Sequence, residues 1–168
     1  MLLYTAVLMS TETELLLSSL NNQRGHVLGI LEGLPDEDLR RAVLPSGWTC
    51  LGLVRHLALD VERFWFRSVV AGEQVELASD GGAWQVSPDV PAVDVLSLYR
   101  REAELADGII AATPLDTAPV NWPDFFGNWR LENLRAIILH VITETATHAG
   151  HLDAVRELID GRTWLILT

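Results

Sequence analysis

Leu131–Asp160, LENLRAIILHVITETATHAGHLDAVRELID, contains no proline and holds three of the five histidines in this 168-residue chain. His140, Glu144, His148 and His151 are spaced i, i+4, i+8 and i+11. At about 100° per residue all four point to one side of a helix. Leu134, Ile137, Val141 and Leu152 share that sector, so the ionisable groups are embedded in a face the helix would otherwise bury. Imidazoles and a carboxylate taken out of water unpaired are costly, and a bound metal ion is one efficient way to satisfy them together.

Working outward, three more helices complete the pattern. Thr11 and Glu14 fit a capping box, and Leu16, Leu17, Leu20, Val27, Leu28 and Leu31 then recur at helical intervals up to Gly33. A short helical turn follows Pro35 and runs to Arg41. Thr49 is an N-cap for the second long helix, whose inward set is Leu53, His56, Leu57, Asp60, Val61 and Phe64, ending at Gly72. A third runs from about Val93 to Ala112, with Val93, Leu96, Tyr99, Leu105 and Ile109 on its buried stripe. Long connections join them: 72–91, with a short extended piece expected around residues 74–77, and 115–128, rich in aromatics. RTWLILT, residues 162–168, reads as a short strand or an apolar tail. The expected architecture is a single all-α domain, a four-helix bundle with long inter-helix loops and a core over residues 11–161.

Composition narrows the function classes. The hydrophobic fraction is 49% and the charged fraction 21%, values of a folded globular protein. Twelve basic against 23 acidic residues give a net charge of -11. No basic run offsets it, so nucleic acid and anionic membrane surfaces are not expected partners. Cys50 is the single cysteine, which removes intramolecular disulfides and all-thiolate metal sites; it reads as a small buried hydrophobe. MLLYTAVLM, residues 1–9, lacks the basic n-region of a signal peptide and is too short to span a bilayer. It reads as a docking arm or a product of start-codon choice, and the expected location is cytoplasmic.

Helix geometry limits which groups share an ion. His140 and His148 lie roughly 12 Å apart along the axis, whereas zinc ligands lie about 2 Å from the metal, so those two cannot both bind it. His140 with Glu144, Glu144 with His148, and His148 with His151 remain open. One helix supplies two ligands, and His56 is the only histidine on the apolar face of another. Two histidines and a carboxylate suit zinc, nickel, iron(II) or manganese and leave coordination positions free. His26 and His140 read as hydrogen-bonded core residues, and His151 as a neighbour of the site.

Two strings, PSGWTCLGLVRHLALDVERFWF (45–66) and HVITETATHAGHLDAVRELIDG (140–161), with LYRREAELADGIIAA between them, resemble the DinB/YfiT-like superfamily. Within it the likeness is to the uncharacterised actinobacterial branch close to the N-terminal domain of mycothiol-dependent maleylpyruvate isomerase. The resemblance covers residues 16–161 and implies a four-helix bundle with a divalent metal, commonly zinc or nickel, held by His56, Glu144 and His148. Many relatives carry histidine where Glu144 stands, and often glutamine where His151 stands. It further implies a homodimer that acts on a small molecule with a low-molecular-weight thiol such as mycothiol.

The leading expectation is therefore a metal-dependent S-transferase or isomerase using the thiol as thiolate. Metal-dependent hydrolysis with bound hydroxide is the alternative, and a non-catalytic bundle with a structural or sensory ion is the third. Asp60, one turn after His56, is expected to hold that ring or act with His151 in catalysis. Trp48 and Trp129 are the expected cofactor contacts, within an aromatic rim that includes Trp65 and Trp122. Glu62 and Arg63 read as surface or interhelix partners.

Overall fold

The computed structural model describes residues 9–79 and 81–164. Four long helices form an all-α bundle: α1 (Thr11–Leu31), α3 (Cys50–His56), which continues as a π-helical segment Leu57–Val70, α4 (Ala92–Ala112) and α5 (Leu134–Asp160). The short α2 (Asp36–Leu39) and 3-10 turns at Gly82–Trp84 and Asp124–Phe126 lie in the connections. Helix α1 packs on α5 and α4, and the helix from Cys50 to Val70 packs on α4 and α5, so it stands diagonally from α1. Leu20, Val27, Ile30, Leu53, Leu57, Tyr99, Ile110, Ile137, Ile138 and Leu152 fill the space between them. No helix among the described residues is long and apolar enough to cross a membrane.

Several termini follow the chemistry of their capping residues. The Thr49 side chain accepts from the Gly52 N–H at 3.0 Å, and Asn133 does the same for Ala136 at 3.1 Å. Gly161, at φ 78°, closes α5 in the left-handed region that favours glycine. The N-cap of α1 is Ser10 rather than Thr11: its hydroxyl accepts from the Thr13 N–H at 3.1 Å, satisfying a donor that the first helical turn leaves free.

Two expectations about elements are corrected and one pair of alternatives is resolved. Residues 74–77 form no strand, and among the described residues the 72–91 connection holds the Gly82–Trp84 turn and a turn closed by the Val90 N–H donating to the Ser87 carbonyl. Of the two readings of the tail, residues 162–164 follow the packed apolar tail and not the strand, with Trp164 against the core and stacked on His26; the rest of that tail, and the proposed arm at residues 1–9 apart from Met9, lie outside the described residues. The buried stripe of α4 is Val95, Tyr99, Glu102, Ala106 and Ile110, whereas Val93 and Leu105 are exposed. An apolar-only pattern misplaces the stripe because Glu102, buried at 1% exposure, belongs to it through ion pairs with Arg63 and Arg67.

The π segment is the largest departure from simple helical periodicity. Its bonds skip five residues, as in the Ala71 N–H donating to the Phe66 carbonyl at 3.0 Å. Wider turns carry more side chains inward than an α stripe does. Phe64, Trp65 and Phe66 are consecutive and all buried.

Glu62 sits in this segment at 0% exposure and meets Arg24 of α1 across the bundle diagonal. Arg24 donates from Nε to Oε1 at 2.7 Å and from Nη2 to Oε2 at 2.6 Å, while its Nη1 reaches Asn21 and Asp107. Burial opposes the Arg24 charge, but Glu62 and Asp107 more than offset it and hold the guanidinium pKa above its ordinary range. Glu62 is thus an interhelix partner and not a surface residue.

Candidate metal centre

The α-to-π junction positions one half of the site. His56 is the last residue of α3, and Asp60 lies four residues on within the first π turn. His56 Nδ1 is 2.8 Å from Asp60 Oδ2, an arrangement that fixes the ring and leaves the other nitrogen, Nε2, free as a donor atom. The Trp84 indole stacks on a face of the ring, at 4.2 Å between centroids and 17° between planes.

Trp84 arrives there because its loop lies against α3. A Cβ on Gly52 would collide with the Trp84 carbonyl, so only glycine allows the approach. Arg55 clasps the same loop through the Gly82 carbonyl and, at 3.1 Å, the Gln85 carbonyl. Trp84 was missed by sequence reasoning. Its loop has no period to follow, and the one available signal was a glycine inside the first turn of a helix.

Helix α5 supplies the other half. Glu144 and His148, one turn apart, have Oε2 and Nε2 3.7 Å from each other. The ligand atoms offered by His56, Glu144 and His148 all lie within 4.8 Å of one another, and all three residues are half-buried. Burial, with His56 and His151 beside it, pushes the His148 pKa down to about 4, so the ring is neutral at pH 7 and presents a lone pair. Two imidazoles and a carboxylate, one ring already anchored by an acid, form a donor set that suits a divalent ion such as zinc or nickel.

The remaining candidates divide around this centre. His151 is exposed, with Nδ1 3.4 Å from Nδ1 of His148, and Trp48 lies 6.3 Å from it ring to ring. Trp48 and Trp84 border a cleft of about 350 Å³ with Ser46, Gly47 and Gln85. Trp129 is elsewhere, in an aromatic cluster with Trp65, Trp122 and Phe126, 5.6 Å from His140.

His140 is half-buried between Trp65 and Trp129, one turn before Glu144, and is not part of the converging group. Burial lowers its pKa, with Glu144 opposing. Among the described residues its contacts are with aromatic rings and not the hydrogen bonds expected of a core histidine. His26 does have its hydrogen bond, from Nε2 to Asp153 at 2.7 Å, and stacks on Trp164. Cys50 is fully buried, and desolvation pushes its thiol up to about 11, as suits a small hydrophobe.

Compared with known proteins, residues 15–161 match the family model described as mycothiol-S-transferase. Nothing matches among curated proteins or among solved structures.

Proposed function

The chain belongs to the mycothiol-S-transferase family, and on that premise we propose that it is a divalent-metal-dependent transferase joining a small thiol to an electrophilic carbon. The observation that carries this reading is the convergence of His56, Glu144 and His148 within 4.8 Å, with Asp60 holding the first of them. Those three residues would hold the ion, zinc or nickel by their chemistry. When bound, such an ion supplies a Lewis acid that makes a thiol acidic enough to act as a nucleophile near neutral pH.

The chain's own groups do the rest. Asp60 accepts from His56 Nδ1 and keeps the ring's other nitrogen aimed at the centre. His151, exposed beside His148, takes the thiol proton at Nε2, the nitrogen turned away from its neighbour. Trp84 covers the His56 ring and excludes water from that side. The cleft bordered by Trp48, Trp84, Ser46 and Gln85 offers hydroxyl and amide groups to a polar thiol such as mycothiol. As the sulfur–carbon bond forms, the bond from carbon to the leaving group breaks, and the leaving group departs to water with its electron pair.

The test is elemental analysis of the purified protein with His56→Ala and His148→Ala, alongside thiol consumption with mycothiol and an alkyl halide. Wild type should carry about one equivalent of metal and consume thiol. Each variant should lose both while keeping its helical circular dichroism. Metal-free wild type, or variants that retain the ion, would overturn the site.

A further inference from the structure

A second cleft, of about 530 Å³, opens beside Asp60 and is otherwise lined by Phe64, Leu77, Ala78, Phe125 and Phe126. We propose that it holds an uncharged aromatic group of the electrophile, so that the enzyme transfers thiol to apolar aromatic compounds and discriminates against anionic ones. The inference rests on the transferase reading above and names its substrate class.

Four observations support it. The cleft adjoins the centre: Asp60 lines it and is also the residue bonded to His56. Its volume lies in the range of about 300–1,000 Å³ usual for small-molecule sites. Its walls are rings held in edge and tilted contacts. Phe125 and Phe126 lie 4.5 Å apart, Phe64 is about equally far from both, at 6.2 and 6.0 Å, and Trp65 stacks behind Phe126 at 5.6 Å and 9°. Phe125 is nevertheless 74% exposed and Leu77 43% exposed, a large apolar surface left open at the mouth.

Charge decides between apolar and anionic substrates. No basic residue lines the cleft among the described residues, and its one ionisable group is the Asp60 carboxylate. A carboxylate substrate would meet that acid, and a net charge of -11, with no partner in compensation. A neutral ring loses water against three phenylalanines instead. The polar thiol then approaches from the Trp48 and Trp84 side and the aromatic electrophile from the Phe125 side, with the centre between them.

Benzyl bromide and bromoacetate share a leaving group and differ in these properties. In both, sulfur bonds to the CH2 carbon, the carbon–bromine bond breaks, bromide leaves to water and the thiol proton goes to His151. Metal-loaded protein with mycothiol should favour benzyl bromide in kcat/KM, after subtraction of the uncatalysed rate, by about tenfold or more. Phe125→Ala, whose exposed side chain can be cut without opening the core, should reduce that ratio about tenfold. Leu77→Arg should shift it towards bromoacetate.

Calorimetric titration with unreactive ethylbenzene reads the cleft without turnover, and Phe125→Ala should weaken that binding. Binding without turnover of either bromide would leave the cleft standing and overturn the transferase reading. Turnover with a ratio that neither variant moves, or with no ethylbenzene binding, would overturn the cleft and leave the transferase.

Discussion

Two of the groups of charged and polar side chains set into this bundle are built differently. At the diagonal between α1 and the π segment, Glu62 has both oxygens bound by Arg24, and on the α4 side Glu102 is bound by Arg63 and Arg67. Each acid there finds its cation within the chain. At the other group, His56, Glu144 and His148 converge on one another, no arginine among the described residues pairs with Glu144, and Asp60 anchors one ring from outside the set. A closed set of partners makes a structural element, whereas donors that converge on one another make a place for something else.

The largest effect should come from opening the closed set. Glu62→Ala leaves Arg24 buried without its main partner and should cost about 3–5 kcal/mol in denaturant unfolding. The Arg24→Met/Glu62→Leu pair should recover most of that loss, since an apolar replacement removes both desolvation penalties. If the single change is harmless, the diagonal pair is not the structural element described. The same experiment has no counterpart at the metal centre, where apolar replacements would remove the donors themselves.

A smaller effect sharpens the other side. Asp60→Asn keeps the size of the group but replaces the carboxylate beside His56 Nδ1, and should weaken metal binding about 10- to 100-fold with little change in the melting temperature of the metal-free protein. Metal affinity equal to wild type in a competition titration would show that His56 needs no anchor.

The smallest effect concerns acid. Burial acts to raise the Glu102 pKa, but the bonds from Arg63 and Arg67 outweigh it and hold the carboxyl below its usual range. A depressed folded pKa means that this stabilisation is fully present above the unfolded value of about 4.3 and declines as pH falls through the folded one. Glu102→Gln should therefore be less stable than wild type at pH 7, and the difference should narrow below about pH 4. A gap that stays constant with pH would assign the loss to packing alone.

The two groups also differ in how far they could be seen in advance. Glu144 and His148 are one turn apart on a strongly periodic helix, and Thr49 and Gly161 mark helix ends by local chemistry, so α5 and the reach of His56 towards it were legible in one dimension, whereas the Asn133 cap was not read. The aromatic contacts of His140, the fully buried Glu62 and the register of α4 were not. Each depends on a partner distant in sequence: Trp65 and Trp129, Arg24 across the bundle, and Arg63 with Arg67. An apolar pattern counts Glu102 as outside because it does not register the two cations that make burial tolerable.

The sequence by itself determined the four helices and most of their ends, because caps and the 3.6-residue period act over a few neighbouring residues. It also placed His56, Glu144 and His148 on faces that can meet. Only the tertiary structure decided the inward turn of Phe64, Trp65 and Phe66, through the five-residue spacing of π-helical bonds. It alone brought Trp84 onto His56, through a loop approach that Gly52 permits, and it assembled the phenylalanine cleft beside Asp60. Those contacts join segments tens of residues apart, and their existence depends on packing that no local period encodes.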